Sequence, residues 1–104
     1  MYVYLHKINN NMKKTIYALV CPIDKVVKYV GVTKKDLSDR FFQHLQSKDN
    51  GLKANWIKKL KEKGERPRII ELMKVESKQA GEMEKIFIQH YENKGLYLFN
   101  INNG

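Results

Sequence analysis

Two runs rich in β-branched and aromatic residues open the regular part of the chain, at residues 15–20 and 26–33. Proline and aspartate in the short connection between them favour a turn, so the pattern predicts a β-hairpin. Because side chains alternate along a strand, Tyr17 and Leu19 share one face of the first strand. The opposite face takes Ile16, Ala18 and Val20. Tyr17 and Tyr29 lie on consecutive strands and are placed to share a face, although strand tyrosines are often simply good β-formers.

A helical period begins after the hairpin, and Asp36 is placed to cap a helix that runs to about residue 47. Its apolar stripe consists of Leu37, Phe41 and Leu45. Arg40 and His44 are four residues apart, so they project side by side at the edge of this stripe. As isolated residues, they are most simply an arginine over the core edge and a histidine bonded to backbone. The alternative is chemical, because a guanidinium matches phosphate oxygens and an imidazole is an acid or base near neutral pH.

A second helix is predicted over residues 51–63, with Gly64 at its end. Its inward face is expected to consist of Leu52, Trp56 and Leu60. The rest of its surface is heavily lysine, at Lys53, Lys58, Lys59, Lys61 and Lys63. This surface is the best candidate for contact with a nucleic-acid backbone, although a run of charges is also typical of an ordinary solvated face.

The remaining pattern predicts a strand at residues 68–75, a helix at residues 77–93 and a short extended segment at residues 96–101. The element order is strand, strand, helix, helix, strand, helix, which is typical of an α+β fold. With no repeat or linker in the sequence, we expect a single domain over residues 15–104, preceded by an N-terminal lead-in at residues 1–14.

Glu84 is the most informative residue of the third helix. At about 100° per residue, it lies at the centre of an apolar face formed by Ala80, Phe87, Ile88 and Tyr91. A carboxylate in such a stripe costs several kcal/mol unless it is paired or bound to a cation. The sequence leaves two explanations open: a structural salt bridge to one of the many lysines and arginines, or a bound divalent metal ion.

Net charge narrows the classes of partner. Twenty lysines and arginines stand against eleven acidic residues, for a formal net charge of +9. Such an excess attracts polyanions, so DNA, RNA and anionic membrane surfaces are the candidates. No apolar run is long enough to span a bilayer, and the first residues lack the continuous apolar core of a signal peptide.

The single cysteine, Cys21, excludes a disulfide within the chain and a zinc site built from several cysteines. This usage fits a reducing cytoplasm and argues against a small secreted scaffold. Asn100, near the end of the chain, says little about function by itself, because an asparagine there often only satisfies nearby backbone groups.

The order of the candidate residues resembles the GIY-YIG nuclease family. Thr15-Ile16-Tyr17 is similar to the first family motif, Tyr29-Val30-Gly31-Val32-Thr33 to the second, and the stretch from Arg40 to His44 to the helix that follows. Glu84 resembles the metal-binding glutamate of the family. Asn100, followed by Asn103-Gly104, resembles its terminal asparagine and glycine pair. The resemblance covers residues 15–104 and implies a small antiparallel three-stranded sheet flanked by helices. Part of the chain resembles phage and bacterial relatives, which suggests a phage or mobile element as the source.

Departures from the family pattern are few. The first glycine of the family is Thr15, the isoleucine of its second motif is Val30, and the final glycine pair is Asn103-Gly104. No candidate catalytic position is lost, so the resemblance implies an active enzyme. Because the chain stops soon after the last motif, we expect either a minimal stand-alone nuclease or the catalytic piece of something longer.

The resemblance implies a metal-dependent DNA endonuclease that hydrolyses phosphodiester bonds with one metal ion. Glu84 would hold a Mg²⁺ or Mn²⁺ ion, and Arg40 would stabilise charge on the phosphate. Tyr17, Tyr29 and His44 would orient or deprotonate the attacking water, and the sequence does not distinguish which is the base. A tyrosine pKa of about 10 would have to be lowered for this role, by Lys28, Arg40 or the metal. Gly31 and Asn100 would support the site.

Two readings compete with the nuclease. One is a DNA-binding module of the same fold that has lost catalysis, and the other is a basic adaptor for the acidic face of a protein. DNA is the expected partner, in double-stranded or branched form, and no small-molecule cofactor is expected beyond the metal. Without a helix-turn-helix or zinc motif, a structure-selective or weakly specific nuclease is favoured over a restriction enzyme.

Overall fold

The computed structural model describes residues 13–100. The elements follow one another as β1 (Lys13–Val20), β2 (Val27–Thr33), α1 (Leu37–Gln46), α2 (Leu52–Glu62), β3 (Arg68–Glu76) and α3 (Ser77–Asn93). This order confirms the predicted α+β architecture. Residues 1–12 of the expected lead-in, and the expected terminal pair Asn103-Gly104, lie outside the described residues.

The three strands form one antiparallel sheet with the order β2-β1-β3. β1 is central and pairs with both neighbours. It begins at Lys13, two residues earlier than predicted, because Lys13 and Lys14 pair with Glu76 and Val75 at the end of β3. Within residues 13–100, β2 and β3 are therefore the edge strands of the sheet.

One face of the sheet packs on α3 and forms the main core. Ile16 of β1 and Val30 of β2 are completely buried there, together with Leu98 after the last helix. α3 contributes Ala80, Met83, Phe87, Ile88 and Tyr91 to the same cluster. The predicted apolar face of this helix is thus confirmed, and the core side of the sheet is filled by aliphatic packing.

The opposite side of β1, here called the Tyr17 face, is where a chemical site can form. Tyr17 and Leu19 are both fully buried on it, as strand alternation predicts. The register pairs Tyr17 with Gly31 and Leu19 with Tyr29, so the two tyrosines share this face and their ring centroids lie 6.4 Å apart. α1 and α2 lie over the same side, since each places a side chain against one of these tyrosines.

The helices of the Tyr17 face are rotated relative to the prediction. In α1 the buried residue is His44, while Leu37, Phe41 and Leu45 are only half-buried. In α2 the prediction that Leu52 faces inward is wrong, because Leu52 is the first residue of the helix and is 45% exposed. Ile57 and Leu60 are the buried pair of α2.

The end of the described chain also differs from the prediction. Residues 96–98 lie outside helices and strands and residues 99–100 form a short 3₁₀ turn, so the expected extended segment is wrong at residues 99–100. Phe99 packs its ring on Trp56 of α2 at a centroid distance of 5.4 Å, which ties this segment to the helix. Between residues 13 and 100, no helix is long and apolar enough to cross a membrane.

Candidate active site

The hydroxyl of Tyr17 is the centre of a buried hydrogen-bond cluster. Its Oη lies 2.7 Å from Nε2 of His44, and Nε of Arg40 donates to the same oxygen over 3.1 Å. A phenol has one hydrogen and two lone pairs, so these two contacts leave a single position on Oη free. Tyr17 is therefore held in one orientation by two side chains of different chemistry.

α1 delivers both partners of Tyr17 from one turn of helix. Arg40 and His44 are four residues apart, and both point at the sheet, with Arg40 half-buried and His44 3% exposed. His44 bonds to a side chain and not to backbone, so the simpler interpretation of this histidine is wrong. Arg40 is held a second time, because its Nη1 donates to Oε1 of Gln43 over 3.1 Å.

Tyr29 and Lys53 extend the cluster along the Tyr17 face. The Tyr29 ring meets His44 edge-on at a centroid distance of 5.6 Å. Above it lies the ammonium of Lys53, 4.7 Å from the ring centroid, in a cation–π contact. Tyr29 is half-buried, and burial is the main cause of its raised pKa.

Gly31 gives the Tyr17 ring its place. A Cβ built on Gly31 would lie 2.5 Å from Cζ of Tyr17 and 2.9 Å from Cε1, both closer than a real Cβ contact allows. The two residues are cross-strand partners, so the missing side chain of one is the space that the other occupies. Gly31 therefore supports the site by leaving room for the side chain of Tyr17.

Asn100 bonds to the outer edge of β2. Its Oδ1 accepts from the backbone N–H of Val30 over 2.8 Å, and its Nδ2 donates to the carbonyl of the same residue. Tyr29 and Gly31 flank Val30, so this amide fixes the strand at the point where it enters the site. Asn100 thus satisfies backbone groups of β2, which agrees both with an ordinary structural role and with a role in supporting the site.

Glu84 is the acidic member of the neighbourhood. It is half-buried on α3, burial raises its pKa, and it makes no hydrogen bond or ion pair with another residue between 13 and 100. Its negative charge adds to the effect of burial on the pKa of both Tyr17 and Tyr29, which sets it near the cluster. A carboxylate in this setting fits a hard divalent cation with water as its other ligands. Over the described residues there is no group of three or more histidine, cysteine, aspartate or glutamate side chains that could hold a metal.

Burial decides the protonation states of Tyr17 and His44. It raises the pKa of Tyr17 to about 12, despite the hydrogen bond and positive charge of Arg40. It also lowers the pKa of His44 to about 3, helped by the charges of Lys53 and Arg40. Both groups are therefore neutral near pH 7. Of the two side chains expected to lower the pKa of Tyr17, Arg40 does so but is outweighed by burial, and Lys28 is not among the groups that shift it.

The remaining lysines proposed from the sequence lie apart from the cluster. Lys28, in β2, forms an ion pair at 3.2 Å with Asp24 of the hairpin turn, and it is not among the groups that shift the pKa of Tyr17. Lys58, Lys59 and Lys61 are exposed on the outer side of α2. Lys53, grouped with them in the sequence, belongs instead to the Tyr29 side of the site.

The sequence interpretation did not name Gln43, and it assigned Lys53 only to contact with a nucleic-acid backbone. Residues 53, 57 and 60 lie on one side of a helix, but the sequence does not show that this side is the buried one, as the structure does for Ile57 and Leu60. Gln43 gave no signal, because a glutamine three residues from an arginine is ordinary on a solvated helix.

A cluster of a buried phenol, a neutral imidazole, two cations and one unpaired carboxylate is suited to binding a phosphate and moving a proton beside it. The family model described as the GIY-YIG catalytic domain matches residues 13–97, a span that contains all six elements. No curated protein and no solved structure is detectably similar to the chain.

Proposed function

The chain belongs to the GIY-YIG family, a family of nuclease domains, and on that premise we propose that it is a metal-dependent DNA endonuclease. The observation that supports this most directly is the Tyr17 hydroxyl, bonded at once to His44 and to Arg40 on a buried face. A hydroxyl so placed has one position left, which suits a water molecule. The reaction would be hydrolysis of a phosphodiester bond.

Arg40 binds the scissile phosphate in this proposal. Its Nε is engaged with Tyr17 and its Nη1 with Gln43, so the guanidinium is oriented before substrate arrives. The rest of the donor fork is available to non-bridging oxygens, where charge develops in the transition state. An orientation prepared in this way avoids reorganisation during the reaction.

Tyr17 and His44 form a proton relay. With Arg40 on one lone pair of Oη, the phenol hydrogen is donated to Nε2 of His44 and the second lone pair accepts a hydrogen from water. As water attacks phosphorus, the bond from phosphorus to the leaving oxygen breaks, the water proton passes to Oη and the phenol proton passes to Nε2. The leaving alkoxide takes a proton from solvent water. The negative phosphate offsets the two cations that help to hold the pKa of His44 low, which makes the imidazole a better acceptor in the complex.

Glu84 supplies the ligand for the cation. A Mg²⁺ or Mn²⁺ ion bound there would neutralise phosphate charge and assist the leaving oxygen. The half-buried, unpaired state of this carboxylate fits the role, and a structural salt bridge is not formed with any residue from 13 to 100. Exposed lysines on α2, Lys58, Lys59 and Lys61, would supply most of the affinity for DNA backbone.

The deciding experiment incubates the purified chain with supercoiled plasmid and with a branched duplex in Mg²⁺ or Mn²⁺. Glu84→Gln should reduce the cleavage rate by roughly 100-fold or more, and EDTA should abolish cleavage. Glu82→Gln is the matched control, since Glu82 lies on the same helix but is exposed. DNA affinity in EDTA should be the same in all three proteins.

Two outcomes would contradict the proposal. Cleavage by Glu84→Gln at the parental rate would contradict the assignment of Glu84 as the metal ligand. Salt-sensitive DNA binding without cleavage in either metal would make the chain a binding module of this fold.

A further inference from the structure

Lys53 differs from every other lysine of α2. It is the second residue of the helix, is half-buried, and places its ammonium 4.7 Å from the centroid of the Tyr29 ring. That ring is in turn in edge contact with His44, which bonds to Tyr17. An unbroken chain of contacts therefore joins Lys53 to the proposed proton relay.

The charge of Lys53 is not neutralised by any described residue. The ion pairs within residues 13–100 join Lys28 to Asp24 and Lys74 to Glu71, and neither involves Lys53. Burial and the neighbouring charge of Arg40 lower its pKa, and the opposing effect of Asp49 is smaller. Two half-buried cations on the same face repel each other in the free protein, so an anion bound between them is stabilised by both.

The ring of Tyr29 positions the flexible side chain of Lys53 before a ligand binds. A lysine side chain has four rotatable bonds and loses much entropy when it is fixed. Its contact with the electron-rich face of an aromatic ring favours one placement of the ammonium before any ligand binds. The ammonium still has three hydrogens to donate, which suit the oxygens of a phosphate.

We propose that Lys53 is a catalytic residue that, opposite Arg40, binds a non-bridging oxygen of the scissile phosphate on the Tyr29 side of the site. This inference rests on the proposed nuclease function and gives it a second phosphate ligand. It also gives Tyr29 a role, as the surface that positions the ammonium. The other lysines of α2 then contact only neighbouring phosphates.

The test compares Lys53→Met, which removes the charge and retains the aliphatic stem, with Lys53→Arg and with the control Lys78→Met. Lys78 is the second residue of α3, as Lys53 is of α2, but it is exposed. In single-turnover cleavage with saturating DNA, Lys53→Met should be slower by roughly 100-fold, Lys53→Arg should recover part of the rate, and Lys78→Met should stay within about threefold of the parent. In EDTA, Lys53→Met should lose only the modest DNA affinity expected for one backbone cation, so its lower rate with saturating DNA is not a loss of binding. Equal cleavage by the two methionine variants would overturn the proposal.

A second measurement is independent of cleavage. Inorganic phosphate is titrated in EDTA into the parent and the three variants, and the ring signals of Tyr29 and His44 are followed by NMR, with thermal melts to verify folding. A saturable shift should occur in the parent and in Lys78→Met, and should weaken by roughly tenfold or more in Lys53→Met. If the parent does not cleave DNA, the nuclease function fails, while loss of the phosphate shift in Lys53→Met alone still supports the anion site. An unchanged phosphate shift in Lys53→Met would overturn it whatever the cleavage result.

Discussion

Gly31 and Tyr17 show how much of this site depends on a single missing methyl group. Alanine at position 31 would place its Cβ 2.5 Å from Cζ of Tyr17, and that ring is completely buried. Either the ring or the β1-β2 pairing must shift. We expect Gly31→Ala to lower the free energy of unfolding by roughly 1–3 kcal/mol. Cleavage should fall more steeply, because the Tyr17 hydroxyl would leave its partners on α1.

Urea unfolding and a cleavage assay at a temperature where both proteins are folded separate these two effects. Gly81→Ala is the control, since a Cβ there meets nothing within 4 Å and lies in α3. That change should stabilise the protein by up to about 1 kcal/mol. A Gly31→Ala protein with parental stability and activity would show that the ring is not confined by this strand.

His44 predicts a specific dependence of stability on pH. Its pKa is lowered from 6.5 to about 3 in the folded protein, by burial first and then by Lys53 and Arg40. Below pH 6.5 the unfolded chain binds a proton that the folded chain does not, so stability falls as the pH falls from 6.5 toward 3. From pH 7 to pH 5 this group alone should cost about 2 kcal/mol.

Chemical denaturation of the parent and of His44→Gln at several pH values measures this contribution. The variant will be less stable throughout, but its stability should change less between pH 7 and pH 5, because the other titrating groups are common to both proteins. Parallel curves for the two proteins would mean that His44 titrates normally in the fold.

At the scale of elements, β2 is an edge strand whose outer side is partly closed by a side chain. Asn100 offers one acceptor and one donor to the backbone of Val30, as a neighbouring strand would. The link joins the end of the described chain to the strand that bears Tyr29 and Gly31. A residue beyond the last helix therefore holds the backbone of Val30, between Tyr29 and Gly31.

Asn100→Asp tests this link by removing the donor while keeping the shape. The carbonyl of Val30 would then face a carboxylate, and we expect a loss of roughly 1–3 kcal/mol in stability. The maximal cleavage rate should fall while DNA affinity is retained. Asn93→Asp is the control, because Asn93 is exposed and uses only its oxygen, as acceptor from Gln89. Equal effects of the two substitutions in unfolding and cleavage assays would contradict a specific role for Asn100.

The elements also show what the sequence could predict. Alternation along β1 placed Tyr17 on one face of its strand, and the i, i+4 spacing placed Arg40 and His44 side by side, because both follow from local backbone geometry. That these residues meet was implied only by the resemblance to the family, and the structure shows the contacts. The rotation of α2 was not predictable in this way, since Leu52, Trp56, Ile57 and Leu60 spread over a wide arc and only tertiary packing selects Ile57 and Leu60. The error displaced Lys53 to the wrong side of the helix.

The direction of the pKa shift of Tyr17 could not be predicted from the sequence either. The presence of cations nearby was predictable, and their effect is real, since Arg40 lowers this pKa. How deeply α1 and α2 bury the phenol depends on long-range packing, and burial outweighs the cation. A local pattern thus identifies which side chains share a face of one strand or helix, while the depth of burial in the folded protein sets their protonation.

For the whole molecule, the question is whether the net charge of +9 acts as a diffuse field or through a defined surface. If DNA lies along α2, the exposed lysines there each release about one counterion on binding. A triple glutamine variant should then reduce the slope of log affinity against log salt by up to about 3. The three positions are Lys58, Lys59 and Lys61.

A second triple variant distinguishes position from total charge, with glutamine at three exposed lysines on or just after α3: Lys78, Lys85 and Lys94. Each variant loses three positive charges, so the net charge of the protein falls by the same amount in both. Binding measured in EDTA over a range of salt excludes cleavage and metal from the comparison. A reduced slope in the α2 variant alone would place the DNA backbone along that helix, because counterions are released only where lysines meet phosphates. Equal slopes in the two variants would mean that the lysines act through net charge, and that the substrate crosses the site along another surface.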